Sequence, residues 1–199
     1  MKYAIFCYNT LNIGDDIQSV ATSMLLPYVD YYILRDNTDI IYDKNSNLIN
    51  LVDINDKIIL VMNGWFMLDP HGNFTQENIK FPIISNKIFP LFISCCFPPR
   101  NKELYSEHAI AHYKRFQPIG CRDKSTFDEL KLHNVDCYIS GCLTTTIQKP
   151  SNSLTINPQL ICLCDVPKSL AQSRNIIKSH PNCTFVHITH YDEKYNKIH

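Results

Sequence analysis

The stretch "YAIFCYNTLNIGDDIQSVATSMLLP", residues 3–27, decides the fold. Its opening run, Tyr3 to Tyr8, is apolar and reads as a buried strand. Behind it Ile17, Val20, Ala21, Met24 and Leu25 recur at the spacing of one helical face, which predicts a helix buried along that stripe. Asn12, Asp15 or Asp16 can accept the unsatisfied N–H groups of its first turn, and Pro27 discourages continuation. A strand turning into a helix in this way is a unit of α/β proteins, and the turn lies where such folds hold ligands. Gly14 stands without the G-x-G-x-x-G spacing of a dinucleotide site. Asn12 and Asp15 are therefore open to two readings, as helix caps or as ligand contacts.

Outward from this unit the chain keeps alternating. Strands are expected at 31–35, at 57–64 ("KIILVMNG") and at 90–96 ("PLFISCC"). A helix follows from Glu103 to Phe116, with Tyr105, Ala109, Tyr113 and Phe116 on one face. After a short extended "IGCR" (119–122), Asp123 is placed to cap a helix running to Leu132, and "DCYISGCL" (136–143) is a further strand. Strands alternating with helices predict an α/β fold with a mostly parallel sheet covered on both faces. The rhythm breaks at 148–159, "QKPSNSLTINPQ", which reads as a linker. Residues 1–147 then form a first domain. Residues 160–199 form one βαβ unit, an incomplete second domain with strands at 160–164 and 184–189 around a helix at about 167–179.

Composition excludes several classes. Nineteen basic and nineteen acidic side chains cancel, so the basic excess of nucleic-acid binders is missing and no nucleic-acid partner is expected. No apolar run is long enough to span a bilayer. The nine cysteines are odd in number and irregular in spacing, and the start does not read as a signal peptide. The expectation is a cytoplasmic protein with reduced thiols.

Arg35, Arg100 and Arg122 each stand just past a proposed strand, and converging arginines would suit a small polyanion. The alternative is that each pairs with a neighbouring acid, Asp36 or Asp123. No metal site is expected: His108 and His112 are four apart, but the H-E-x-x-H order and any C-x-x-C are absent. Cys142 has no nearby histidine to activate it and reads as a small buried residue.

The segments "NIGDDIQSVATSMLLPYVDYYILRDN", "VMNGWF", "PLFIS" and "IGCRDKSTFDELKLHNVDCYISGCLT" together resemble, in order and spacing, the polysaccharide pyruvyl transferase family. The likeness extends through "LICLCDVP" and "VHITHYD". It implies a Rossmann-like first domain similar to the N-terminal half of a GT-B fold. It also implies transfer of pyruvate from phosphoenolpyruvate, as donor substrate and without a cofactor, to hydroxyls of a sugar or polysaccharide acceptor. Arg122, in the Gly-x-Arg-Asp stretch, becomes the expected anion contact with Asp123 beside it, and Asn12, Gly14 and Asp15 line the same cleft. Asp15 is the candidate catalytic residue. Two departures bear on activity. Cys96-Phe97 stands where such members usually carry a histidine, and the family's later Arg-Leu-His segment occurs nowhere in these 199 residues. The second domain is thus expected to be completed by a partner or a second copy. A truncated, non-catalytic remnant that binds an anion or glycan is the alternative.

Overall fold

The computed structural model describes residues 1–8, 12–35, 37–66, 85–148, 159–164 and 179–188. The chain divides into two compact units, one of Met1–Asn9 with Asp15–Ile147 and one of Thr10–Gly14 with Gln148–His199.

The first unit is built on one eight-stranded sheet. Its strands are β1 (Lys2–Cys7), β2 (Tyr31–Leu34), β3 (Ile41–Asp43), β4 (Leu48–Ile49), β5 (Ile58–Trp65), β6 (Ile88–Cys96), β7 (Ile119–Cys121) and β8 (Cys137–Ile139). Their order across the sheet is β4-β3-β2-β1-β5-β6-β7-β8. Outward from β1 the pairs with β2 and β5, then β5–β6, β6–β7 and β7–β8, are parallel, which makes this a Rossmann-like α/β sheet. The hairpin β3–β4 is antiparallel and caps one edge. Its turn is closed by Asp43, whose carboxylate accepts the N–H groups of Asn45 and Asn47. The central strands are near-continuous apolar runs, as a sheet covered on both faces requires. Ile58, Leu60, Met62, Ile88, Phe92 and Phe97 are fully buried.

Three helices are described: α1 (Ile13–Leu25), α2 (Glu107–Phe116) and α3 (Lys124–Leu132). The predicted helix from Glu103 to Phe116 is divided, because Ser106 accepts the Ala109 N–H and starts α2 there, leaving a short 3-10 turn at Lys102–Tyr105. Asp123 caps α3 as the sequence suggested, accepting the Thr126 N–H at 2.9 Å. The strand expected at 136–143 is only Cys137–Ile139, since residues 143–146 coil into another 3-10 turn.

The buried face expected for α1 is corrected. Of the five stripe residues only Ala21 is buried, whereas Ile17, Val20, Met24 and Leu25 are exposed. The helix turns Asp15, Gln18 and Thr22 inward instead. That orientation is tolerable because the inward polar groups find partners: the Thr22 hydroxyl donates to Gln18 O at 2.8 Å, and Gln18 donates to Asp15.

In the second unit, β9 (Leu160–Cys164) and β10 (Thr184–Ile188) pair in parallel. All but the last residue of the helix expected at about 167–179, and all but the two end residues of the linker read at 148–159, lie outside the described residues.

Candidate functional site

The carboxyl ends of β1, β5, β6 and β7 converge on one polar region, and each end is shaped by its local sequence. β1 delivers Tyr8. On β5 the register to β6 shifts between Met62 and Gly64, and Gly64 holds φ at 135°, which a residue with a side chain rarely adopts. A Cβ there would also lie 3.3 Å from the Tyr8 hydroxyl. β6 carries Ser94 at φ 60°, fully buried and locked on both sides. The Ser94 N–H donates to Ser140 Oγ at 2.9 Å, and its Oγ accepts from Leu143 N–H at 3.1 Å. β7 ends in Cys121, and the Arg122 N–H then donates to Cys95 O at 2.8 Å, fixing the point at which Arg122 leaves the sheet.

Around Arg122 lies an open cleft of about 430 Å³, lined among others by Trp65, Cys96, Arg100 and Asp123. The Arg122 guanidinium donates from Nη1 to Gln18 Oε1 at 3.5 Å, and no carboxylate of the described residues lies within ion-pair distance of it. Asp123, the neighbour expected to neutralise it, is committed elsewhere. Its Oδ1 takes the Thr126 N–H and the Ser125 hydroxyl, and it accepts from the Cys96 thiol. Burial would push the Asp123 carboxyl up, but the hydrogen bonds from Cys96, Ser125 and Thr126 outweigh it and hold the group below the ordinary aspartate range. Burial first, then the hydrogen bond to and charge of Asp123, push the Cys96 thiol up to about 12.

Arg35 behaves differently. It pairs with Asp15 at 3.4 Å, both side chains largely shielded from solvent, and its guanidinium lies 4.7 Å from the centre of the Tyr8 ring. Gln18 links the two arginine environments. Its Nε2 donates to Asp15 Oδ1 at 3.4 Å, while its Oε1 faces Arg122. The Gln18 main-chain carbonyl in turn accepts from Asn63 Nδ2 at 3.3 Å. Arg122, Asp123 and Asp15 are thus brought into one connected region. Asn12 and Gly14 act on each other: the Gly14 N–H donates to Asn12 Oδ1 at 2.9 Å, capping α1. A Cβ at residue 14 would sit 2.9 Å from that same oxygen, so glycine here keeps the cap in place.

Cys142 is half-buried rather than buried as expected. Burial raises its thiol, but hydrogen bonds from Thr144 and the Arg122 charge more than offset this and leave it lowered. Sequence reasoning missed Gln18, Asn63 and Trp65. The first had a signal, since Asp15, Gln18 and Thr22 share a helical stripe of their own. Among the described residues no group of three or more His, Cys, Asp or Glu could hold a metal, and no helix is long and apolar enough to cross a membrane.

Fold and site together define an α/β protein whose Arg122 lines a cleft at the carboxyl ends of its parallel strands, with no carboxylate of the described residues paired to it. The family model for polysaccharide pyruvyl transferase matches residues 12–198, and the chain belongs to that family. No curated protein matches the chain, and no solved structure does.

Proposed function

We propose that this chain binds phosphoenolpyruvate at Arg122 and transfers its pyruvyl group to sugar hydroxyls of a glycan. The observation that carries the reading is the Arg122 guanidinium, which faces a cleft with a neutral amide as its described polar partner. A guanidinium matches a carboxylate or phosphate with two parallel hydrogen bonds, and it attracts an anion most when no protein carboxylate already occupies it. Arg100, which also lines the cleft, adds a second cation.

In this reading the donor's methylene takes a proton and C2 becomes oxocarbenium-like. A sugar hydroxyl adds to C2 and loses its proton, phosphate leaves, and a second hydroxyl adding to the same carbon closes a cyclic ketal. Guanidinium groups stabilise the charge on the departing phosphate. Two titratable groups beside Arg122 are poor proton donors, since Asp123 is held ionised and the Cys96 thiol lies at about 12. Asp15 is the candidate acid if its pair with Arg35 opens when the donor binds.

The test is a thermal melt of the purified chain with phosphoenolpyruvate, with inorganic phosphate as control, for wild type and Arg122→Ala. At a hundred times the dissociation constant the ligand stabilises the fold by about 2.7 kcal/mol. A selective shift that Arg122→Ala abolishes is expected. A cooperative melt that phosphoenolpyruvate leaves unmoved overturns the donor reading.

A further inference from the structure

Trp65 is the only tryptophan in the chain, and it lines the cleft. It follows directly on the Gly64 kink, and its own carbonyl accepts from Arg35 Nη1 at 3.5 Å, so the main chain beneath it is held on both sides. The side chain is held by little. It is 40% exposed, and its indole makes no ring contact, no cation–π contact and no Nε1 hydrogen bond with any described residue. A tryptophan is usually among the more buried residues of a domain, and its N–H usually finds a partner. Here a tryptophan with much of its side chain exposed lines a cleft.

The rest of the cleft narrows the ligand. Pro98 and Pro99 add apolar surface, while Arg100, Arg122, Asp123 and Ser125 supply hydrogen-bonding groups of both kinds. A simple anion has no use for the indole, and an apolar ligand would strand the arginines. A pyranose ring fits both, because one of its faces presents polarised C–H groups and its rim presents hydroxyls. The electron-rich face of an indole attracts such C–H groups through its quadrupole.

We propose that the Trp65 indole is the stacking platform for the acceptor sugar, and that the ring lies on it with its hydroxyl edge turned toward Arg122. The proposal rests on the donor reading above for the place of the chemistry, and it adds where the acceptor sits.

The single tryptophan makes the test direct. The full chain is titrated with methyl glycosides of the common hexoses and with N-acetylhexosamines, with and without phosphoenolpyruvate, while Trp65 emission is followed. Saturation-transfer NMR on the same samples detects bound sugar whatever it touches. The expected result is an emission change that saturates with the NMR signal. In Trp65→Leu sugar affinity falls about tenfold or more, the scale of a lost ring-stacking contact, while any stabilisation by phosphoenolpyruvate persists. Trp65→Tyr recovers part of the sugar affinity. Sugar binding that leaves the emission unchanged and is equal in Trp65→Leu overturns the proposal, as does a panel in which no sugar binds under either condition. Sugar stacking on Trp65 without any response to phosphoenolpyruvate keeps this inference and removes the donor reading instead.

Discussion

Arg122 and Arg35 meet different side-chain oxygens. Arg35 sits against the Asp15 carboxylate, whereas Arg122 meets the amide oxygen of Gln18. An amide is the side-chain group that can face a carboxylate with one end and a guanidinium with the other without neutralising either. Gln18 is 3% exposed and does both, so its two ends cannot be exchanged. Gln18→Glu keeps the shape and adds a charge. It is expected to quench Arg122 and to crowd Asp15 with a like charge, so phosphoenolpyruvate binding weakens at neutral pH. Binding should recover, relative to wild type at the same pH, as the pH falls through the carboxylate range near about 4. Calorimetric titrations of both proteins across that range check this. A uniform loss at every pH would assign Gln18 to packing alone.

At the level of elements, α1 is the instructive case. Two stripes run along it at helical spacing, one apolar and one made of Asp15, Gln18 and Thr22, and periodicity alone does not say which one the sheet receives. The polar stripe lies inward because its groups are satisfied there by one another and by Arg122. Ser19 adds a further tie by donating to Phe6 O on β1. This arrangement makes a sharp contrast in stability. Met24→Gln and Val20→Gln on the exposed side should each change unfolding free energy by no more than about 0.5 kcal/mol. Ala21→Leu, at a position with no exposed surface, should cost about 1–3 kcal/mol by overpacking. Urea denaturation of the three variants decides it, and a large loss from Met24→Gln would mean that something covers this face.

At the scale of the whole first unit, stability carries a titratable group that does not line the Arg122 cleft. His112 on α2 packs edge-on against Phe92 with ring centres 6.0 Å apart, and lies 4.9 Å from the Phe116 ring. Burial, helped by the nearby His108 and Arg115, lowers its pKa to about 4. The folded chain therefore keeps this imidazole neutral where the unfolded chain, with an ordinary histidine near about 6.5, takes up a proton. Its contribution to stability is full above that pH and is lost as the pH falls from there through about 4. The melting temperature of the wild type should drop over this window, and His112→Leu should flatten that part of the profile. An identical slope in the variant would place the acid sensitivity elsewhere.

What the sequence determined by itself is what depends on neighbours along the chain. The alternation of apolar runs with helices set the parallel sheet, Asp123 announced the cap of α3, and Asn12 was one of three candidates for the cap of α1. The small antiparallel hairpin of β3 and β4 was not read, because strands of three and two residues carry too few positions for a periodic signal. Only the tertiary structure decided that, among the described residues, Arg35 meets a carboxylate and Arg122 an amide. Sequence neighbours pointed Asp123 at Arg122. In space Asp123 is consumed by a helix end, Asp15 is consumed by Arg35 across 20 residues, and Gln18 reaches Arg122 across 104. Charge pairing is set by distance in space, and only folding brings those partners within reach.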